Sequence, residues 1–287
     1  MIPINNTLTP LPFYNDIEEQ NHRRSYAYGA IYPLYAPVTS LLPFQIMREH
    51  RASTPITSCE IYDKNGIYVA DLTADMETAG LHIVEYDTYG VDVVVYPAVM
   101  PLTNQLGIGQ YYLMLTDGVE TWYSDIVTLI DTPSSYLQIE WYDTETLLSD
   151  AGIVVYDGNY KNRIYLNTEL GKPEYTFDEE GETRDGYFFA EKQLSEKTYK
   201  FFFPSSEFLL DAMRLVRLSD YVKITDKYGR VYNCDTFLIT PEWEEQGNIA
   251  RVVAEFQTAT VVKKIGRAYA IRDVGDFNDD YNDDYNH

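Results

Sequence analysis

The feature that most constrains the fold is a repeated turn pattern, in which an aspartate is followed three residues later by a glycine. The pattern occurs as DKNG at 63–66, DTYG at 87–90 and DKYG at 226–229, and an Asp-Gly pair stands at 117–118. Aspartate caps such a turn through its side chain and glycine accepts positive φ, which is typical of a type I turn running into a bulge. The chain is therefore expected to fold largely as β-hairpins.

Short strand-like runs lie between these turns. In the first half of the chain they are SCEIYD, IYVADL, GLHIVEY, VDVVVY, QYYLMLT and TWYSDIVTLI. Runs that recur at about 8 to 12 residues with hairpin turns between them are typical of an antiparallel β-sandwich or barrel. We therefore predict a first β-sandwich domain over residues 57–130.

A second β domain is predicted over residues 136–269, after a linker, DTPSS, at 131–135. Its strand-like runs extend from YLQIEWY to NIARVVAEF. It also contains one predicted amphipathic helix at about 205–218, which Ser205 or Ser206 can cap and in which apolar residues recur at helical spacing. The predicted fold class is therefore all-β, with two antiparallel sandwich or barrel domains and one helix in the second.

Residues 1–56 differ from the rest because they carry seven of the 13 prolines, with aromatic residues between them. Proline removes ladder donors and blocks helix interiors, so this segment is predicted to be an extended arm with one short helix near 16–24. Its apolar side chains must be covered, either by the chain's own domains or by a neighbouring subunit. The candidate intersubunit docking residues are Tyr26, Tyr28, Tyr32, Leu34, Tyr35, Leu41, Leu42 and Phe44.

Residues 270–287 form an acidic segment with a tandem NDDY repeat and no basic residue after Arg272. Mutual repulsion of its carboxylates predicts an extended tail in the free protein. A calcium-binding EF-hand is rejected because Tyr281 stands where that loop requires glycine, and weak cation binding stays open. The residues through which this tail is expected to bind a partner are Asp279, Asp280, Tyr281, Asp283 and Asp284.

Charge and composition limit the partners that the chain can have. A net charge of −23 repels phosphate backbones, so no nucleic acid is expected as a partner. The first ten residues lack a basic region and an apolar core, and no apolar stretch is long enough to cross a bilayer, so neither a signal peptide nor membrane insertion is expected. Cys59 and Cys234 lie far apart in strand-like runs and are interpreted as small buried apolar residues.

The segment TPEWEEQG at 240–247 is the strongest candidate for a catalytic site, because Glu242 and Glu244 flank Trp243. A glycosidase needs two carboxylates on opposite sides of the scissile bond. Alternate residues of one strand face the same side, so both glutamates are expected to face water while the tryptophan turns inward at a hairpin corner. The four histidines have no metal-binding spacing. No catalytic, metal-binding or cofactor-binding residue is therefore predicted.

Segments covering about half of the chain resemble a known group of proteins. LPFYNDIEEQNHRRSYAYGAIYPLYAPVTSLLPFQI and GQYYLMLTDGVETWYSDIVTLI resemble the N-terminal parts of virion tail proteins of Bacteroidales phages and prophages, including the crAss-like phages. PEWEEQGNIARVVAEFQTATVVKKIG is similar to the closing strands of the same proteins. The resemblance implies a non-enzymatic tail protein that forms a symmetric ring, hub or baseplate layer with copies of itself and other virion tail proteins. It implies a location in the virion tail, and in the host cytoplasm during assembly.

The residues themselves agree with this interpretation, because an arm too apolar to remain in water, two all-β modules and no catalytic constellation are what an assembly subunit is expected to show. The alternative is a receptor-binding or carbohydrate-binding β-sandwich module of a phage tail or a bacterial surface. Exposed Tyr and Trp rings would then stack on sugars while acidic side chains accept hydrogen bonds from the sugar hydroxyls.

Overall fold

A computed structural model describes residues 8–18, 34–51, 54–103, 106–149, 152–243, 249–258 and 261–263. Within these ranges the chain forms twenty strands and two α-helices, which confirms the all-β fold class. The strands of the first half are β1 (Phe13–Tyr14), β2 (Leu34–Pro37), β3 (Phe44–Glu49), β4 (Ser58–Asp63), β5 (Tyr68–Asp71), β6 (His82–Tyr86), β7 (Val91–Tyr96), β8 (Gly109–Thr116), β9 (Thr121–Ser124) and β10 (Val127–Ile130). Helix α1 (Thr73–Thr78) lies between β5 and β6.

The second half contains the remaining ten strands and the longer helix. The strands are β11 (Leu137–Tyr142), β12 (Leu147–Ser149), β13 (Gly152–Val154), β14 (Asn162–Leu166), β15 (Glu174–Arg184), β16 (Tyr187–Ser206), β17 (Tyr221–Thr225), β18 (Val231–Trp243), β19 (Ile249–Thr258) and β20 (Val261–Lys263). Helix α2 (Glu207–Leu218) joins β16 to β17. The predicted helix is confirmed, and Ser206 caps it by accepting a hydrogen bond from the backbone N–H of Leu209.

The predicted turn chemistry is also confirmed. Gly66, Gly118 and Gly229 all have positive φ, at 83°, 84° and 74°. The Oδ1 atom of Asp63 accepts hydrogen bonds from two backbone N–H groups beyond it in the turn, and Asp226 does the same. Because the aspartate satisfies the turn's N–H groups and glycine supplies the left-handed backbone, these turns fix the hairpins that the sequence pattern predicts.

The first half is built from two sheets that pack on each other. One has the order β1-β9-β8-β10-β2, with β4 pairing β8 and β5 pairing β4, and the other has the order β3-β7-β6. Phe44 from the smaller sheet contacts Phe13 from the larger one, with ring centroids 4.6 Å apart. Leu115 and Trp122 are buried in the same core.

The structure corrects the prediction of an extended arm for residues 34–51. β2 runs parallel to β10 and forms the edge of the larger sheet, while β3 pairs with β7 in the smaller sheet. The prolines do not prevent this, because Pro37 ends an edge strand and Pro43 precedes β3, positions where no ladder donor is lost. The helix expected near 16–24 falls mostly outside the described residues. The structure describes residues 16–18 of this span, and residues 17 and 18 are helical.

The second half is dominated by one sheet with the order β14-β11-β17-β18-β19-β16-β15, to which β20 adds beside β16. Helix α2 buries Phe208, Met213 and Val216 among the chain's other core residues. The runs YFFAEKQL and KTYKFFF, which the sequence pattern predicts as two strands, belong to the single 20-residue strand β16. This long strand extends well past its neighbour β19, and the extension is the basis of the candidate site.

The two halves share one continuous apolar core. Gln45 of β3 is buried, its Nε2 donates a hydrogen bond of 2.5 Å to the carbonyl oxygen of Val155, and its Oε1 accepts one of 2.9 Å from the N–H of the same residue. Tyr35 packs against Tyr136 with ring centroids 4.8 Å apart. The segment predicted as a linker therefore joins two halves that are packed together.

A buried ion network holds the smaller sheet to the turn between β8 and β9. Arg48 has 1% of its side chain exposed and donates to Asp117 at 2.9 Å and to Asp92 at 3.3 Å. Its third contact is a hydrogen bond of 2.6 Å to the carbonyl oxygen of Thr54. Arg51 reaches the same Asp117 oxygen at 2.7 Å. Each buried charge is thus paired and hydrogen-bonded, which is the condition for burying it at all.

His50 at the margin of this network predicts a pH dependence of stability. Its Nδ1 lies 2.7 Å from Asp92 Oδ1, and this hydrogen bond, with the charges of Asp92 and Asp87, raises the pKa of His50 against a smaller opposing effect of burial. The folded state therefore binds the proton more tightly than the unfolded chain, whose histidine pKa is about 6.5. The stabilisation is fully present below that value and is lost as the pH rises through the raised pKa.

We expect the urea midpoint of the wild type, relative to that of His50→Gln, to be highest near pH 5 to 6 and to fall as the pH is raised through 7 to 8. Glutamine keeps a hydrogen-bond donor but does not titrate, so it serves as the matched variant. A difference between the two midpoints that stays constant across this range would contradict the prediction.

Candidate functional site

The candidate site is a projecting β-hairpin, residues 174–198, which we call the hairpin arm. β15 pairs with β16 from Glu174 opposite Thr198 to Arg184 opposite Tyr187. Strand β19 supports β16 only from Thr198 onward, and β20 adds three further pairs at 193–195. Toward its tip the arm is therefore two-stranded within the described part of the chain, and it is about 35 Å long at the usual rise of a strand.

The tip of the hairpin arm is shaped by a tight turn and a bulge. Asp185 and Gly186 both have positive φ, 51° and 84°, which is the two-residue turn that suits the twist of a hairpin. The register shifts between Glu180 and Gly181. A Cβ atom at Gly181 would lie 2.0 Å from the carbonyl oxygen of Phe189, so this close approach of the two strands requires glycine.

The hairpin arm carries large apolar side chains that the other described residues do not cover. Five aromatic residues are between 52% and 75% exposed: Tyr175, Phe177, Tyr187, Phe188 and Phe189. A two-stranded hairpin is at best marginally stable alone in water, and exposed apolar surface concentrated in one element marks an interaction site. The hairpin arm therefore has the properties of a docking element.

Its charge distribution is uneven. The hairpin arm has eight carboxylates against three cations, a net charge of −5. Four of the carboxylates fall within residues 178–182 of β15, whose outer edge pairs with no other strand in the described ranges. Pairing of two such edges from two copies would place like charges opposite each other, which is destabilising. The arm is thus suited to a surface different from itself.

A second aromatic cluster lies on the larger sheet of the first half, with Tyr68 exposed, Tyr62 half-buried and Tyr112 buried. Tyr62 stacks on Tyr112 with ring centroids 5.5 Å apart, and Tyr68 packs edge-on against Tyr62. The Tyr62 hydroxyl donates a 2.5 Å hydrogen bond to Glu60 Oε2, which raises the pKa of Tyr62 to about 12. Stacked rings beside a carboxylate are the arrangement on which the alternative prediction, a carbohydrate-binding module, depends.

The predicted docking residues of the N-terminal arm are not part of the hairpin arm or of this aromatic cluster. In the described part of the chain, Leu34, Leu41, Leu42 and Phe44 are buried in the chain's own core and Tyr35 is half-buried. The structure corrects the docking prediction for the four buried residues, because Leu34 on β2, Phe44 on β3 and the loop residues Leu41 and Leu42 between them all pack in the chain's own apolar core. The following predicted interface residues lie outside the described residues: Tyr26, Tyr28, Tyr32, Asp279, Asp280, Tyr281, Asp283 and Asp284.

The strands on either side of residues 244–248 are antiparallel neighbours, as predicted for the segment TPEWEEQG. β18 ends at Trp243 and β19 begins at Ile249, and Glu242 is exposed opposite Arg251. The expectation of a buried tryptophan is wrong, because Trp243 is 45% exposed at the very end of its strand, where Ile249 is exposed as well. Glu244 lies outside the described residues.

The cysteines divide between the core and its margin. Cys59 is fully buried, as predicted, and Cys234 is half-buried, and both are free thiols. Burial raises the pKa of each to about 12, so both are protonated at neutral pH. In the ranges that the structure describes, no group of three or more His, Cys, Asp or Glu is placed to hold a metal ion.

No helix in the described residues is long and apolar enough to span a bilayer. We compared the chain with models of protein families, with curated proteins and with solved structures, and none of the three comparisons found a match.

Proposed function

We propose that this chain is a non-enzymatic structural protein of a phage-tail virion, which assembles with copies of itself into a symmetric ring, hub or baseplate layer. The observation that carries the proposal is the hairpin arm, an acidic two-stranded projection on which five aromatic side chains are exposed in the described part of the chain. The resemblance of the sequence to Bacteroidales phage tail proteins supports the location in a virion. Other tail proteins would contact the layer, and the chain would be in the host cytoplasm before assembly.

The exposed aromatic surface is large enough to dominate an interface. Five aromatic side chains at these exposures offer roughly 600 Å² of surface, against the roughly 800 Å² that each partner contributes to a standard interface. Aromatic side chains are also the residues that most often supply the binding free energy of an interface. A second copy of the chain that covers the hairpin arm would therefore bury enough surface for a stable contact.

Because β15 carries like charges along its edge, the hairpin arm is expected to dock on a different surface of the next copy rather than on its counterpart. A contact of this kind, between two different surfaces, generates a closed ring when the rotation between copies closes. In the described residues, the four buried docking candidates of the N-terminal arm do not contribute to this contact.

The test is the triple variant Tyr187→Ser, Phe188→Ser, Phe189→Ser in the full chain. We expect the dissociation constant of the oligomer to rise at least about 100-fold, because anchors of this kind each contribute about 2 kcal/mol when covered. The free energy of unfolding of the monomer should change little, since the three side chains are exposed. Native mass spectrometry and sedimentation velocity measure the oligomer.

The matched control is Ile67→Ser with Val119→Ser, which removes two other exposed apolar side chains from the first half of the chain. The control should assemble as the wild type does. An oligomer unaffected by the triple variant would reject the hairpin arm as the contact, and a wild type that stays monomeric at all concentrations would reject self-assembly. Detection of the chain by mass spectrometry in purified phage particles tests the location in the virion.

A further inference from the structure

Cations and tyrosine rings alternate in a row from the base of the hairpin arm to the turn between β17 and β18, and we call this row the cation–tyrosine ladder. Lys197 Nζ lies 5.8 Å from the ring centroid of Tyr175 and 5.0 Å from that of Tyr199. The ring of Tyr199 lies 4.9 Å from that of Tyr232. Arg230 Cζ then lies 5.9 Å from the Tyr232 ring.

The ladder ends at the turn itself. Arg230 Cζ also lies 5.2 Å from the ring centroid of Tyr228, and Lys227 Nζ lies 5.2 Å from the same ring. The members of the ladder are Tyr175, Lys197, Tyr199, Tyr232, Arg230, Tyr228 and Lys227. Cations held over aromatic faces are stabilised by the ring electrons and present a surface that is both apolar and positive.

The middle of the ladder is anchored in the core while its ends are open. Tyr199 is buried and stacks on Phe256 with ring centroids 5.3 Å apart. Lys197 is two residues before Tyr199 on β16, so it faces the same side of the sheet. Tyr175, Tyr228 and the Arg230 side chain are exposed. A ligand would therefore meet a surface whose centre is fixed before binding, which lowers the entropy cost of binding.

The ladder has a cation that the described residues leave uncompensated. Arg230 pairs with Asp226 at 2.7 Å, and Lys227 pairs with Glu169. No carboxylate in the described ranges lies within 4.0 Å of Lys197 Nζ. A side-chain hydrogen bond with Tyr199 raises the pKa of Lys197, so the ammonium group is charged at neutral pH. In a chain with a net charge of −23, this is a specific place for an anionic ligand.

We propose that the cation–tyrosine ladder binds the acidic segment 276–284, DFNDDYNDD, of a second copy of this chain. The segment supplies carboxylates for the cations and an aromatic ring, Tyr281, for the exposed tyrosines. Its NDDY unit occurs twice in residues 278–285, and the ladder offers cations at two places, on either side of the Tyr199 and Tyr232 pair. The proposal rests on the proposed function, since it requires a neighbouring copy.

The direction of β20 favours a second copy over the same chain. β20 runs antiparallel to β16, with Val261 opposite Ser195 and Lys263 opposite Gln193. The chain therefore leaves the sheet toward the tip of the hairpin arm and away from Lys197. The 12 residues between Lys263 and residue 276 span at most about 45 Å, which is long enough to reach a neighbouring copy that contacts the hairpin arm. If the hairpin arm reaches the next copy, the segment that leaves alongside it arrives at that copy as well.

Photo-cross-linking tests the proposal in the full chain. A ¹⁵N-labelled chain carries p-benzoylphenylalanine in place of Tyr281 and is mixed with the unlabelled wild type, so that a labelled peptide joined to an unlabelled one identifies two copies. We expect residue 281 to cross-link to peptides containing 197–199 or 228–232 of the unlabelled chain. Lys197→Gln with Lys227→Gln in the unlabelled chain should lower the yield about tenfold, since it removes one cation from each end of the ladder and leaves the buried Asp226 paired with Arg230.

The matched control is Arg214→Gln, which removes an exposed cation that pairs with Asp211 on α2 and should leave the yield unchanged. Equal urea midpoints for all variants establish that they are folded. Cross-links within one chain only, cross-links to other residues, or a yield unchanged by the two ladder substitutions would each overturn the proposal. If oligomers persist in native mass spectrometry in those cases, the ladder is rejected and the proposed function stands, whereas a monomeric chain rejects both.

Discussion

Arg48→Met is expected to lower the free energy of unfolding by about 3 to 5 kcal/mol, because it removes the buried cation that contacts both buried carboxylates and leaves them with the partly exposed Arg51 and His50. Arg48 joins Asp92 of β7 to Asp117 at the turn after β8, and all three side chains are buried. Although burial raises the pKa of Asp117, hydrogen bonds from the backbone N–H groups of Glu120 and Val119 and the charge of Arg51 hold it below its usual value. The carboxylate is thus ionised in the folded protein, and removal of Arg48 leaves that charge inside.

Urea denaturation at a concentration where the chain is monomeric measures this loss. The control is Arg214→Met, which removes an exposed arginine that pairs with Asp211 on helix α2. This substitution should change the free energy of unfolding by less than about 0.5 kcal/mol. Methionine fills a volume similar to that of arginine, so the comparison isolates the charge. A loss below about 1 kcal/mol for Arg48→Met would show that water or a rearranged neighbour replaces the guanidinium group.

Local patterns in the sequence predict most of the strands and turns, because their causes are local. Asp63 and Gly66 fix their turn through interactions within five residues, and Ser206 caps α2 through Leu209. The run EYTFDEEGETR of β15 lacks the apolar alternation of a strand, because all its side chains are exposed. It is a strand because β16 pairs with it, and that pairing is not visible in its own composition.

Which residues are available for docking was less predictable, because their exposure depends on contacts between distant parts of the chain. The apolar residues of 34–44 indicate that they must be covered, but the sequence alone did not decide between the chain's own sheets and a neighbour. The parallel pairing of Leu34 with Val127 settles the matter for that strand and joins residues 93 positions apart. Likewise, the cation–tyrosine ladder joins β15, β16 and the turn at 226–229, which are separated by long stretches of sequence.

The packing of the two halves against each other predicts a second large loss of stability, for Gln45→Leu. The Gln45 side chain satisfies both the N–H and the carbonyl group of Val155, and all of these groups are buried. Leucine keeps the approximate volume but leaves two buried backbone groups unpaired, each of which costs about 1 to 3 kcal/mol. We expect the free energy of unfolding to fall by about 2 to 4 kcal/mol and the exchange of the Val155 amide hydrogen to become faster.

Gln110→Leu is the matched control, because Gln110 makes an exposed hydrogen bond with Lys64 and its loss should change the free energy of unfolding by less than about 0.5 kcal/mol. If one core unites both halves, the wild type unfolds in a single transition. In Gln45→Leu the contact between the halves is weaker, so the two halves are the units that would unfold separately if the denaturation curve showed a second transition. A loss of less than about 1 kcal/mol, with unchanged exchange at Val155, would mean that the apolar contacts join the halves without help from this amide.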